Sequence, residues 1–137
     1  HDKISAQDLF KFYRFALYKF RQLPWLLQGT KLPLVLLGGA NRTVARKELM
    51  RLGRKDLENI HGVSMSAYSF IETYTEWLGM DCKERADILG PEAERADIII
   101  AGLSPIMFLI EYLQTPEIIF SESGVREGVL YSMLKRK

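Results

Sequence analysis

The sequence predicts an α/β fold that is predominantly helical, with few parallel strands. Two short apolar, β-rich runs, Leu32-Pro33-Leu34-Val35-Leu36-Leu37 and Glu117-Ile118-Ile119-Phe120, each lead into a glycine-containing loop and then into helical spacing. Between them the apolar residues recur three and four apart, the period of helices packed on a core. A chain of 137 residues, 47% hydrophobic and 26% charged, is the size and balance of one globular domain.

Taken in order, Ser5 followed by Asp8 reads as a helix start, and Leu9, Phe10, Tyr13, Leu17 and Phe20 give that helix one wide apolar face until Pro24. A turn at Gln28-Gly29-Thr30 leads into the run 32–37, which is too short for a helix, lacks alternation, and fits a parallel strand buried on both faces. Asn41 is placed to cap the next helix, whose Val44, Ala45, Leu49 and Leu52 keep helical spacing up to Gly53. Ser64 or Ser66 opens a helix striped by Tyr68, Ile71, Tyr74, Trp77 and Leu78, and Gly79 closes it. Asp81 with Glu84 starts a short helix that Gly90-Pro91 breaks. From Glu92 to about Leu113 a central helix is expected, kinked at Pro105. Glu117–Phe120 is the second strand, 121–124 a loop, and 125–137 a last helix carried by Val129, Leu130 and Met133. Two strands do not make an independent sheet, so further strands are expected from upstream sequence or from another chain. The first residue, His1, is not Met, which leads to the expectation that upstream sequence or a leader is missing.

Composition narrows the function classes. Nineteen basic and seventeen acidic residues leave +2, too little by itself to favour nucleic acid or an anionic membrane. The basic cluster Arg46, Lys47, Arg51, Arg54 and Lys55 reads first as a solvated helix face, with nucleic-acid binding as the lesser alternative. The longest apolar run, 98–110, falls well short of the roughly 20 residues that span a bilayer. Cys82 is the single cysteine, which permits no internal disulfide and fits a reducing compartment; no signal-peptide pattern opens the chain, and a cytoplasmic location is expected. Cys82 has no His or Cys at metal spacing and reads as a structural thiol.

In open α/β sheets ligands gather beyond the carboxyl ends of the strands, where helix N-termini point unpaired amides outward. The first strand ends at Gly38-Gly39-Ala40-Asn41-Arg42: the glycines let a ligand approach the backbone, the helix start favours an anion, and Arg42 offers a guanidinium fork. Plain turn geometry is the competing reading of the glycine pair. The second strand ends at Ser121-Glu122-Ser123-Gly124, followed by Arg126 in the first helical turn. Here hydroxyls, amides and a cation can hold a phosphate; a capped helix with Arg126 used in packing is the alternative. Arg95, between Glu94 and Asp97, is either paired with one of those carboxylates or an anion contact. No nucleophile, general base or metal cluster assembles from the sequence, and His61 stands isolated.

The run Glu94-Arg95-Ala96-Asp97 and the run Ser121 to Leu130 resemble, in that order and spacing, the central helix start and closing signature of the exopolyphosphatase and guanosine pentaphosphate phosphohydrolase family. Gly38-Gly39 resembles that family's glycine turn and Asn59-Ile60-His61-Gly62 its short linker. Ala40 and Glu122 depart from the Thr and Asp common at those places. The resemblance implies the C-terminal portion of an actin-like, ribonuclease H-like domain, residues 1–137 being a partial domain of a longer two-domain phosphohydrolase. It implies hydrolysis of terminal phosphates of inorganic polyphosphate or of the phosphorylated guanosine nucleotide, with magnesium whose ligands, like the catalytic groups, lie upstream. The substrate contacts it implies here are Gly38, Gly39, Asn41, Arg42, Arg95, Ser121, Ser123 and Arg126, forming one wall of the cleft. The chain alone is then expected to be inactive. Two other readings remain from the sequence: a noncatalytic nucleotide- or alarmone-binding regulator, and a helical module that dimerises through exposed strand edges or pairs with a missing upstream domain.

Overall fold

A computed structural model describes residues 3–37 and 39–121. The chain runs α1 (Ala6–Arg21), a 3₁₀ segment (Pro24–Gly29), β1 (Leu34–Leu36), α2 (Gly39–Arg51), β2 (Ser64–Ser66), α3 (Ala67–Leu78), α4 (Cys82–Leu89), a second 3₁₀ segment (Gly90–Arg95), α5 (Ile99–Leu113) and β3 (Glu117–Phe120). The expected final helix, 125–137, lies outside the described residues.

The sheet has the order β1-β3-β2, with β1 parallel and β2 antiparallel to β3. It is therefore mixed, and β2 is a strand where only a helix start was expected. Its register lines Leu34, Ile118 and Met65 across one face and Val35, Ile119 and Ser64 across the other. Met65, Ile118, Leu36 and Phe120 are buried against the helices, whereas Val35 is 57% exposed. The expectation that β1 is buried on both sides fails for this reason: the face carrying Val35 has no helical layer over it among the described residues.

The core sits between the inner sheet face and helices α2, α3 and α5, where Trp77, Phe70, Phe120, Ile99, Ile100, Leu103 and Ile118 are almost wholly enclosed. Ser66 caps α3 by accepting from the Ser69 amide, and Asp81 and Glu84 close a reciprocal capping box on α4, as their spacing predicts. α1 is capped by Ser5 but packs outside this core, on α5, through Phe12 and Tyr13 against Phe108 and Phe20 against Tyr112. Phe10, counted on its apolar face, is exposed.

The central helix is shorter than expected. Gly90 takes φ +55, residues 90–95 tighten into 3₁₀ turns, and the α4 to 3₁₀ unit meets α5 at 96°. Buried Arg85 holds this corner: its guanidinium donates to the carbonyls of Trp77, Met80 and Ala96, joining the end of α3 to the entrance of α5. α5 itself continues through Pro105 without interruption. Among the described residues no single helix is long and apolar enough to cross a membrane.

Candidate functional site

β1 and β3 point the same way, so their carboxyl ends lie side by side, and the Ser121 amide donates to the Leu36 carbonyl at 3.0 Å. That bond sets the start of the second loop against the chain entering the glycine turn. Antiparallel β2 brings a third segment to the same edge: the Gly62 amide donates to Phe120 O at 2.8 Å, and His61 Nδ1 lies 3.4 Å from Ser121 Oγ. Gly62, at φ +80, makes the turn a side chain would strain.

α2 begins at Gly39, so Asn41 is inside the first turn rather than at its cap. Its side-chain amide reaches back to the Leu37 carbonyl at 2.5 Å, which fixes the amide's orientation because a carbonyl only accepts. The other end, Oδ1, is buried and has no protein partner among the described residues. Arg42 is half-buried one position on. The parallel strands thus gather Gly39, Asn41, Arg42 and Ser121 at one edge, beside the N-terminus of α2, whose dipole favours an anion.

Arg95 is placed elsewhere in the chain's path. It ends the second 3₁₀ segment instead of heading a long helix, and it is half-buried. Neither Glu94 nor Asp97 forms an ion pair with it among the described residues. The neighbouring helix cations differ: Arg46 is held by Glu92 at 2.8 Å and Glu58 at 3.1 Å, Lys47 by Glu76 at 3.1 Å, and Arg51 by Glu48 at 2.6 Å. Most of the basic run is thereby engaged within the protein. Gly38, Ser123 and Arg126 lie outside the described residues.

Sequence reasoning set His61 aside as isolated. Only the antiparallel return of β2 brings it to Ser121, and Ser64-Met65-Ser66 is too short and polar to announce a strand. Next to it lies a half-open depression of about 310 Å³, walled by Leu49 and Leu52 and lined with Arg54, Asn59, His61 and Ser64.

The Ppx/GppA phosphatase family pattern matches residues 6–137. The chain belongs to the Ppx/GppA phosphatase family. Solved structures share its fold: the Aquifex aeolicus Ppx/GppA family member, 24% identical with a TM-score of 0.74, covers 99% of this chain, which spans 43% of that protein. An exopolyphosphatase from Cytophaga hutchinsonii, 23% identical with a TM-score of 0.75, covers 98% of this chain, which spans 44% of it. The chain thus spans less than half of the Ppx/GppA structures it matches. No curated protein matches the sequence significantly.

Magnesium, which the family resemblance implies, requires oxygen ligands that converge. Among the described residues no three His, Cys, Asp or Glu side chains do so. These residues do not fit a magnesium site.

Proposed function

We propose that this chain is the C-terminal part of a cytoplasmic exopolyphosphatase-like phosphohydrolase of actin-like, ribonuclease H-like fold, acting on terminal phosphates of inorganic polyphosphate or guanosine pentaphosphate. In this reading it forms one wall of the substrate cleft, while the catalytic carboxylate and magnesium ligands belong to the remainder of the protein. The family match and the coverage of less than half of each related structure support it.

The observation that carries the reading is the junction of the two parallel strand ends, where Ser121 N meets Leu36 O at 3.0 Å. Amides at the start of α2 and the Arg42 guanidinium offer donors to phosphate oxygens without any proton transfer, and the Ser121 hydroxyl adds a rotatable one. Asn41 Oδ1, buried and without a hydrogen-bond partner among the described residues, offers an acceptor at the same edge. Such a wall binds and orients a phosphate chain, and the bond-breaking groups come from the facing part.

Phosphate release from polyphosphate and from guanosine pentaphosphate, with magnesium, tests this. The isolated chain is expected to bind polyphosphate in calorimetry and to release no phosphate. Turnover by the chain alone at the rate of a full-length relative would overturn the assignment of catalysis to the remainder.

A further inference from the structure

We propose that Arg46 is a positioning residue for the phosphate wall: gripping Glu92 from α2, it fixes the 3₁₀ segment that carries Arg95 and so presents that guanidinium to the polyanion. The inference rests on the reading of Arg95 as a phosphate contact and names what holds it in place.

The segment Gly90–Arg95 is poorly held by its own bonds. It is six residues of 3₁₀ helix with no side-chain cap at its start, and Glu92 inside it departs from helical dihedrals at φ −107, ψ 23. Short 3₁₀ runs make poorer hydrogen bonds than an α-helix, so their placement depends on what grips them from outside. One grip is at the exit, where Arg85 Nε donates to Ala96 O at 2.9 Å, one residue beyond Arg95. The other is Arg46, whose Nη1 donates to Glu92 Oε1 at 2.8 Å, one 3₁₀ turn before Arg95. Arg95, which forms no ion pair among the described residues, thus stands between two clamps.

The Arg46 clamp is stiff because every nitrogen of its guanidinium is engaged. Beside the bond to Glu92, Nε donates to Leu57 O at 3.4 Å and Nη2 to Glu58 Oε2 at 3.1 Å. The Glu58 side chain is 79% exposed, so that pair is worth little, whereas the Arg46 and Glu92 side chains are only 23% and 15% exposed, with Met50 and Leu89 beside them. The bond to Glu92 therefore sets the position. Arg46 follows Arg42 by one turn of α2, about 6 Å along the axis. The same helix carries one anion contact directly and steers a second through Glu92.

Calorimetry of the full chain with polyphosphate tests this through a double-mutant cycle, with circular dichroism to check folding. Arg46→Met is expected to lower affinity about fivefold in the wild type and to change nothing in an Arg95→Ala background, where there is no guanidinium left to position. Glu92→Met gives the sharper sign: removing a carboxylate near a polyanion strengthens binding by charge alone, whereas loss of the clamp weakens it, here about fivefold. That variant leaves Arg46 on Glu58 and Leu57 O, so it decides the matter even where Arg46→Met does not fold. Equal losses from Arg46→Met with and without Arg95, or unchanged or tighter binding by Glu92→Met, would overturn the positioning role while leaving the phosphate wall standing. Failure of the wild type to bind polyphosphate would overturn the wall and the positioning role together.

Discussion

The hydroxyl groups of Tyr74 and Ser104 lie 2.7 Å apart inside the core. Ser104 Oγ is also 2.7 Å from the Ile100 carbonyl, which only accepts, so the serine donates to Ile100 and the tyrosine donates to the serine. Removing Ser104 leaves a buried phenol with no acceptor, at a cost of about 2 kcal/mol, while removing the phenolic oxygen leaves Ser104 still bonded, at about 1 kcal/mol. Urea denaturation should therefore rank Ser104→Ala as more destabilising than Tyr74→Phe. The reverse order would mean the donor directions are wrong.

Burial pushes the Tyr74 phenol above its ordinary value of 10.0, and the bond to Ser104 pulls only partly against it. The unfolded phenol loses its proton near pH 10 while the folded one keeps it, so the folded state holds more protons and stability falls as pH rises above that point. Below it this contribution is fully present. The Tyr68 phenol is also raised above its ordinary value, by its bond to Glu72. Tyr74→Phe should thus flatten, though not abolish, the alkaline loss in melting temperature.

Arg85 ties the carbonyls of Trp77 and Met80, at the end of α3 and just beyond it, to that of Ala96 at the 96° corner. Arg85→Met keeps much of the volume and strands those carbonyls, with an expected loss of about 3 kcal/mol or more in chemical denaturation. Lysine, with one ammonium in place of a planar fork, should recover only a fraction. Full rescue by Arg85→Lys would show that charge alone, and not the fork, sets the corner.

Arg95 and Arg42 separate stability from binding. Arg95 forms no ion pair among the described residues, so Arg95→Ala loses only the packing of a half-buried side chain and should shift the melting temperature less than Arg46→Ala, which breaks two ion pairs. If both arginines meet phosphate, each alanine variant should weaken polyphosphate binding about tenfold in calorimetry. An Arg95→Ala chain that binds like the wild type would remove Arg95 from the wall.

Capping chemistry and helical spacing were legible because they are local: Ser5, Ser66 and Asp81 act where the sequence places them. Gly39 and Ser121 also follow strands that run parallel, as their place after the two apolar runs predicts. What escaped was set by distant partners. Glu92 to Asp97 carries helix-forming residues, yet a Gly90 with positive φ and the grip of Arg85 on Ala96 O override that preference. Met65 is the only inward residue of β2, one buried side chain between two exposed serines, and so short an alternation has no period to detect. With β2 unseen, the meeting of His61 and Ser121 was invisible as well. Asn41 misread as a cap because its side chain satisfies Leu37 O behind it rather than an amide ahead.

The strand order carries a consequence for synthesis. β3 lies between β1 and β2 but follows both in the chain, and Leu34 and Ser66 wait for Ile118 and Glu117. While the polypeptide leaves the ribosome, the sheet has no middle until Phe120 clears the exit tunnel, so the nascent chain can lay down helices early but must close its sheet late. Force measured on stalled nascent chains should therefore rise at a single late length rather than in two steps.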